Sequence, residues 1–188
     1  MTTGIRWFDD VGMDDVPAVG GKNASLGEMR RALTPLGIRT PNGFATTADA
    51  YRAFLRAADL ERVIEDTLGH LDVAEIDRLQ AAGRRVRSAI LAANLPEALV
   101  QGISEAYQQL EAQAGLNCDV AVRSSATAED LPDASFAGQH ETYLNIHGAA
   151  MLIDAVKRCY ASLFTDRAIV YRAHRGFDHT QVALSPSP

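Results

Sequence analysis

The chain has 188 residues, of which 47% are hydrophobic and 22% are charged, and its formal net charge at pH 7 is −6. This acidic balance argues against a general nucleic-acid-binding protein, which normally carries an excess of basic residues. The sequence has no apolar run long enough to span a membrane and no basic segment followed by an apolar one at its start, so we expect neither a membrane protein nor a signal peptide.

The first predicted helix follows a pair of glycines. Gly20 and Gly21 interrupt any regular element, and the segment KNASLGEMRRAL then resumes with apolar residues at helical spacing. Gly27 is expected to be a weak point in this helix, because glycine has a low helix propensity. Residues 34–47 are rich in proline and glycine, which favours short strands connected by turns.

The middle of the chain is predicted to be helical. Thr46 or Thr47 is suited to cap a helix that starts just after it. From residue 60 to residue 114, apolar residues recur at helical spacing, with a break at Pro96, which suits the first turn of a new helix, and a natural end at Gly115. One apolar face in this region consists of Ile76, Leu79, Val86 and Ile90.

Two alternating segments flank a long polar loop. DVAVR (residues 119–123) and ETYLNI (residues 141–146) predict a β-hairpin with an unusually long connection, and such loops are usually functional or disordered. One or two helices follow, and HTQVAL then resembles the start of a strand. The final SPSP is expected not to continue a central strand, because proline lacks an N–H group. These elements predict an α+β fold, with a helix-rich middle section packed on a small mixed or antiparallel sheet.

The glycine pair forms the first candidate site. Glycine lets backbone amides approach a ligand closely, Lys22 supplies a compact cation, and the following helix directs the positive end of its dipole at the same place. These features suit a phosphate group. The spacing is not that of a P-loop, however, because Val16 and Asn23 stand where that motif needs Gly and Ser or Thr. On spacing alone, a glycine turn before a surface helix is the more ordinary interpretation.

The long polar loop forms the second candidate site. Arg123 stands at the end of a predicted strand and provides a planar set of donors that suits phosphate oxygens. Ser124, Ser125 and Thr127 add hydroxyl donors, and Gly138 adds a flexible turn. In the alternative interpretation, the loop is an ordinary polar connection in which Arg123 pairs with a carboxylate. The candidate carboxylates, which would otherwise hold a cation or solvate the loop, are Glu129, Asp130 and Asp133.

Histidine and cysteine spacing indicates no other chemistry. The five histidines show neither H-x-x-x-H nor Cys/His ligand spacing, so the sequence predicts no zinc site. No nucleophile motif or triad is visible. Cys118 and Cys159 are far apart in the sequence and are expected to be small, partly buried residues without a disulfide. This cysteine usage predicts a reduced, cytoplasmic protein.

Four long segments, in this order along the chain, resemble the N-terminal ATP-binding region of the phosphoenolpyruvate synthase family: GGKNASLGEM, TPNGFATTADAYRAFL, VRSSATAEDLPDASFAGQHETYLNI and VKRCYASLFTDRAIVYRAHRGFDH. Pyruvate phosphate dikinase and rifampicin phosphotransferase have a similar nucleotide domain. The resemblance implies that residues 1–188 form a single partial domain, the first lobe of an ATP-grasp-like fold. It also implies that the second lobe, the phosphohistidine domain and the pyruvate-binding barrel are absent from this chain.

The resemblance further implies a nucleotide site. Lys22 matches the phosphate-contacting lysine of the family's GGK motif, and Arg123 matches the arginine of its VRSS motif. Residues 138 and 139 match a glycine-containing loop that lies over the phosphates, and Thr142 lies just beyond that loop. ATP is the expected ligand, and the ligands of its Mg²⁺ ion are expected in the absent lobe. The predicted nucleotide-binding residues are Lys22, Arg123, Ser124, Gly138, Gln139 and Thr142.

In complete members of the family, the β-phosphoryl group of ATP passes to a histidine on a separate domain and then to pyruvate, which gives phosphoenolpyruvate, AMP and phosphate. This chain alone is expected not to complete that reaction. Its expected partners are ATP and either a second chain with the absent domains or another copy of itself, but neither nucleic acid nor a membrane. The alternatives are a non-catalytic nucleotide-binding or regulatory remnant of the fold, and the ATP lobe of a rifampicin phosphotransferase-like enzyme.

Overall fold

The computed structural model describes residues 4–127, 130–131, 134–135 and 141–188. The helices are α1 (Val16–Leu33), α2 (Ala48–Ala57), α3 (Leu60–Leu68), α4 (Ile76–Ala92), α5 (Glu97–Ala114), α6 (Ala149–Ser162) and α7 (Asp166–Arg175). The strands are β1 (Ile5–Trp7), β2 (Phe44–Thr46), β3 (Val120–Arg123), β4 (Asp130–Leu131), β5 (Ala134–Ser135) and β6 (Thr142–Ile146). This arrangement confirms the predicted α+β class. Within the described residues, no helix combines the length and apolarity that crossing a membrane requires.

The strands form short antiparallel pairs. β1 pairs with β2, and β4 pairs with β5 inside the long connection between β3 and β6. β3 pairs with β6, with Arg123 opposite Thr142 and Val122 opposite Tyr143. The predicted hairpin of DVAVR and ETYLNI is therefore confirmed. Because neighbouring residues of a strand point to opposite faces, Arg123 and Thr142 share one face of this pair, and Val122 and Tyr143 share the other.

The last residues of the chain run extended between two strands, which corrects the prediction for SPSP. Ser187 exchanges two backbone hydrogen bonds of 2.8 Å with Arg123, and Ser185 exchanges two of 2.8 and 3.2 Å with Ser125. On the other side, the carbonyl group of Pro186 accepts the N–H of Thr46 at 2.9 Å. The prediction failed because serine and proline alternate in this segment, so that the N–H groups of Ser185 and Ser187 both point toward the strand of Arg123. Pro186 needs only its carbonyl group on the side of β2.

The core lies where the helices meet these strands. Tyr51 and Phe54 of α2 pack against Tyr160 of α6, with ring centroids 4.9 and 5.8 Å apart respectively. The predicted apolar face of α4 is confirmed at Leu79, Val86 and Ile90, which are buried, whereas Ile76 in the first turn is 66% exposed. The pattern misplaced Ile76, because periodicity alone does not show where along a helix the packing begins.

Local signals placed several helix ends correctly. The Oγ1 atom of Thr47 accepts the N–H of Ala50 at 3.2 Å, which confirms Thr47 rather than Thr46 as the cap of α2. Pro96 immediately precedes α5, and Gly115 follows it with φ at 113°. Cys118 and Cys159 are both free, as expected. The helix ends depend on neighbours within a few residues, which explains why the sequence alone indicates them.

The prediction for Gly27 was wrong. Gly27 lies on the buried face of α1, where a Cβ atom would collide with the carbonyl oxygen of Val11. The same Cβ would lie 2.6 Å from Cγ2 of Val11 and 2.9 Å from the carbonyl oxygen of Phe8. The missing side chain lets the segment after β1 pack directly on the helix. Gly27 is therefore a close-packing position rather than a weak point.

Candidate functional site

The first element of the candidate site is a kink in α1 at Gly20. Gly20 has φ at 75° and ψ at 162°, which are not helical, so the main part of α1 (residues 21–33) begins just after it. A Cβ atom at this position would collide with Oγ of Ser125 and lie 2.9 Å from the carbonyl oxygen of Ala126. Lys22 is exposed and lies in the first turn of the main part, where the positive end of the helix dipole favours an anion.

Ser125 connects this turn to the strand that carries Arg123. Its Oγ atom accepts the backbone N–H of Lys22 at 3.1 Å, from a position 103 residues away in the sequence. The first N–H groups of a helix have no partner within the helix, so this hydroxyl acts as an N-cap side chain does. Ser125 is 1% exposed. The sequence suggested it as a donor to a ligand, but in the structure its oxygen is an acceptor for the lysine turn.

Asn23 fixes the same turn to the C-terminal segment, and sequence reasoning missed this role. Its Nδ2 atom donates to the carbonyl oxygens of Val19 and Ser185 at 2.9 and 2.8 Å, and to Oγ of Ser185 at 2.9 Å. Its Oδ1 atom accepts from Oγ of Ser187 at 2.7 Å. All of these groups are buried. Because Ser187 also pairs with Arg123, the lysine turn, the C-terminal segment and the arginine strand form one hydrogen-bonded unit.

The predicted residues on the arginine side lie in different environments. Arg123 and Thr142 are both exposed and face each other across β3 and β6, so the structure brings these two together. Ser124 is 2% exposed, and its Oγ atom has no hydrogen-bond partner among the described residues. Its hydroxyl is therefore turned away from solvent. Gly138 and Gln139 lie outside the described residues, so their predicted roles remain predictions.

The ordinary interpretation of the loop remains open as well. In the described part of the chain, the guanidinium group of Arg123 makes no ion pair. The side chains of the candidate carboxylates Glu129, Asp130 and Asp133 lie outside the described part. The arrangement therefore offers two exposed cationic side chains and a helix N-terminus, a combination that is suited to neutralising phosphate oxygens.

Nothing in the described residues adds a nucleophile or a metal site to this arrangement. Burial raises the pKa of the Cys159 thiol to about 12, with a smaller contribution from Glu141, so this thiol stays protonated and unreactive. Burial also raises the pKa of Cys118. No group of His, Cys, Asp and Glu side chains within the described part could hold a metal ion.

Comparison with known proteins identifies similar sequences. The family model described as "Pyruvate phosphate dikinase, AMP/ATP-binding domain" matches residues 16–186. The chain is 52% identical over 186 residues to the phosphoenolpyruvate synthase of Synechocystis sp., and 50% identical over 181 residues to that of Escherichia coli. It is 50% identical over 182 residues to the probable phosphoenolpyruvate synthase of Methanocaldococcus jannaschii. These matches confirm the resemblance inferred from the four sequence segments.

The matched relatives are much longer than this chain. Each of the three alignments covers 96% of the chain, but they cover only 23%, 23% and 15% of the relatives from Synechocystis, E. coli and M. jannaschii. The chain therefore spans less than a quarter of the length of these relatives. The similarity concerns their nucleotide-binding region, which the matching family model describes.

Proposed function

The chain belongs to the pyruvate phosphate dikinase AMP/ATP-binding domain family, and we propose that Lys22 and Arg123 hold the phosphates of ATP on the first lobe of a two-lobed cleft. One observation carries the proposal. These two exposed cations come from distant parts of the sequence, yet hydrogen bonds, those of Asn23 among them buried, fix the segments that carry them to each other. Phosphoryl transfer depends mainly on positioning and on neutralising phosphate charge, and this arrangement serves both needs.

The other predicted residues would complete the phosphate contacts. Thr142 faces Arg123 across the strand pair, so its hydroxyl can serve the same phosphate group. We propose that Gly138 and Gln139 close over the phosphates from the loop before β6. For Ser124, the backbone N–H rather than the side chain would complete the phosphate contacts, because its hydroxyl is buried.

We propose that this lobe serves a reaction of the phosphoenolpyruvate synthase type, in which ATP, pyruvate and water give AMP, phosphoenolpyruvate and phosphate. The names of the relatives support this assignment. The second lobe, the ligands of Mg²⁺ and the phosphate-accepting histidine would come from the rest of a longer protein or from a partner chain. The metal, once bound by those ligands, would neutralise phosphate charge in addition to Lys22 and Arg123.

One lobe makes only part of the nucleotide contact, so we expect weak binding by this chain alone. An affinity in the millimolar range corresponds to about −4 kcal/mol. A closed cleft would bind more tightly, because enclosure removes water from around the phosphates and strengthens each electrostatic contact.

Calorimetric titration of the 188-residue chain with ATP and Mg²⁺ tests the proposal. Saturable binding in the millimolar range should disappear in both Lys22→Ala and Arg123→Ala. Arg78→Ala serves as the matched control, because Arg78 is an exposed cation in the first turn of α4 that pairs with Glu75, the residue just before this helix. The proposal is refuted if the unmodified chain shows no saturable heat at millimolar ATP, or if all three variants bind as it does.

A further inference from the structure

We propose that Ser125 is a positioning residue of this nucleotide site. Its hydroxyl group fixes the first turn of the main part of α1, and therefore Lys22, in relation to Arg123. The inference rests on the proposed function, because it assigns Ser125 a role in holding the same phosphates. Ser125 acts without touching ATP, since it is 1% exposed and its oxygen is already bonded to the lysine turn.

The backbone of Ser125 is fixed before its side chain acts. Its N–H donates to the carbonyl oxygen of Ser185 at 3.2 Å, and its carbonyl oxygen accepts from the N–H of Ser185 at 2.8 Å. Two residues earlier, Arg123 exchanges a similar pair of bonds with Ser187. One short stretch of backbone, held on both sides of Ser124, thus carries Arg123 and also presents the Oγ atom that binds Lys22.

The contact between Ser125 and the lysine turn requires close approach of two backbones. At Gly20 the absence of a side chain allows it, since a Cβ atom there would occupy the place of the Ser125 hydroxyl. The next residue of the turn is Asn23, whose side chain is hydrogen-bonded to Ser185 and Ser187. The amide of Lys22 and the side chain of Asn23 are therefore bound to the same two-stranded unit that carries Arg123.

Ser125→Ala removes only this link. The substitution keeps the Cβ atom and creates no new contact at Gly20, but it deprives the N–H of Lys22 of its partner. The lysine turn is still held through Asn23, but its first N–H groups are less firmly placed in relation to Arg123, so the two cations are less well positioned for one phosphate chain. We expect ATP to bind roughly three- to tenfold more weakly, the range that the loss of one such hydrogen bond gives.

Ser162→Ala is the matched control. Ser162 is also a buried serine, 4% exposed, and its Oγ atom donates to the carbonyl oxygen of Cys159 at 2.6 Å within α6. Both substitutions remove one buried hydroxyl and one hydrogen bond, so both are expected to lower the melting temperature. Only Ser125→Ala should weaken the binding of ATP, and Ser162→Ala should stay within about twofold of the unmodified chain.

Amide hydrogen exchange at Lys22 provides a second readout that does not depend on ATP. The Lys22 amide should be protected in the unmodified chain and in Ser162→Ala, and it should exchange faster in Ser125→Ala while amides in α5 remain protected. This pattern separates a local loss of position from a loss of the whole fold, because global unfolding would expose α5 as well.

The outcomes distinguish this inference from the proposed function. If the unmodified chain binds ATP through Lys22 and Ser125→Ala binds it equally well, the positioning role is overturned and the proposed function stands. Unchanged protection of the Lys22 amide in Ser125→Ala also overturns the inference. If the unmodified chain shows no binding that depends on Lys22, the proposed function fails, and the positioning role fails with it.

Discussion

Gly20→Ala tests the close approach on which the candidate site depends. With φ at 75° and ψ at 162°, Gly20 occupies a backbone region that is essentially restricted to glycine, and alanine there costs about 1–3 kcal/mol. The added Cβ atom would also collide with Oγ of Ser125 and lie 2.9 Å from the carbonyl oxygen of Ala126. Overpacking of this kind costs typically about 1–3 kcal/mol. We therefore expect the free energy of unfolding to fall by about 2–6 kcal/mol.

Urea denaturation measures this loss, and Gly37→Ala is the matched control. Gly37 also has a positive φ, 76°, but no atom lies within 4 Å of the position of its missing Cβ. Its substitution should cost only the conformational strain, about 1–2 kcal/mol. The fluorescence of Trp7, the only tryptophan, reports unfolding in both variants, because its ring packs edge-on against Phe44 with centroids 5.5 Å apart.

The additional loss in Gly20→Ala reports mainly the close contacts with Ser125 and Ala126, since both variants place alanine at a positive φ. If Gly20→Ala and Gly37→Ala lose the same amount of stability, the space beside Gly20 is not limiting and the reasoning is wrong. The folded fraction of Gly20→Ala should also bind ATP more weakly, because the collision separates the lysine turn from the arginine strand. Undiminished ATP binding by this variant would contradict the proposed link between the two elements.

Two further predictions follow from the packing of α1 and from the turn after α7. Gly27→Ala should destabilise the protein by about 1–3 kcal/mol in urea denaturation, although helix propensity alone favours alanine by about 1 kcal/mol. Ser25→Ala, at an exposed position of the same helix, is the control. A Gly27→Ala variant that is more stable than the unmodified chain would contradict the close packing at this position. Burial, together with the nearby charge of Arg172, lowers the pKa of His179 to about 4. As the pH falls, the imidazole of His179 is therefore protonated in the unfolded chain before it is protonated in the folded one. The stability that neutral His179 contributes is complete above pH 6.5 and is lost as the pH falls toward 4. After a discount for the partial exposure of the imidazole, this loss is about 1–2 kcal/mol. His179→Asn, which retains an acceptor for Nε of Arg172, should have a shallower stability slope between pH 6.5 and 4, and an identical slope would refute the assignment.

The helical part of the fold was predictable because its signals are local. Leu79, Val86 and Ile90 repeat at the period of a helix, and burial of that stripe follows from the pattern alone. Thr47 caps α2 by accepting the N–H of Ala50, only three residues away, and Gly115 follows α5 with a φ angle that suits glycine. Such features require no knowledge of which distant segment lies nearby.

The connections between distant segments were not predictable in this way. Nothing near Lys22 in the sequence indicates that a serine 103 residues away accepts its N–H group. Asn23 was noted only for its departure from the P-loop spacing, because its partners, Ser185 and Ser187, lie at the other end of the chain. The packing role of Gly27 was missed for the same reason, because helix propensity contains no information about the distant backbone that packs against this residue. Long-range contacts decide these cases.

The candidate site combines both kinds of information. Lys22 and Arg123 were found from motifs, but only the structure shows that hydrogen bonds hold their segments together while both side chains remain exposed. An exposed cation contributes only about 1 kcal/mol or less to an ion pair, because water and salt screen it. Under the proposed function, the fixed geometry of the two segments would therefore matter most when a second lobe closed over the phosphates and excluded water. Closure would strengthen both contacts without any need to reposition either cation, which is the advantage of assembling this part of the site in advance.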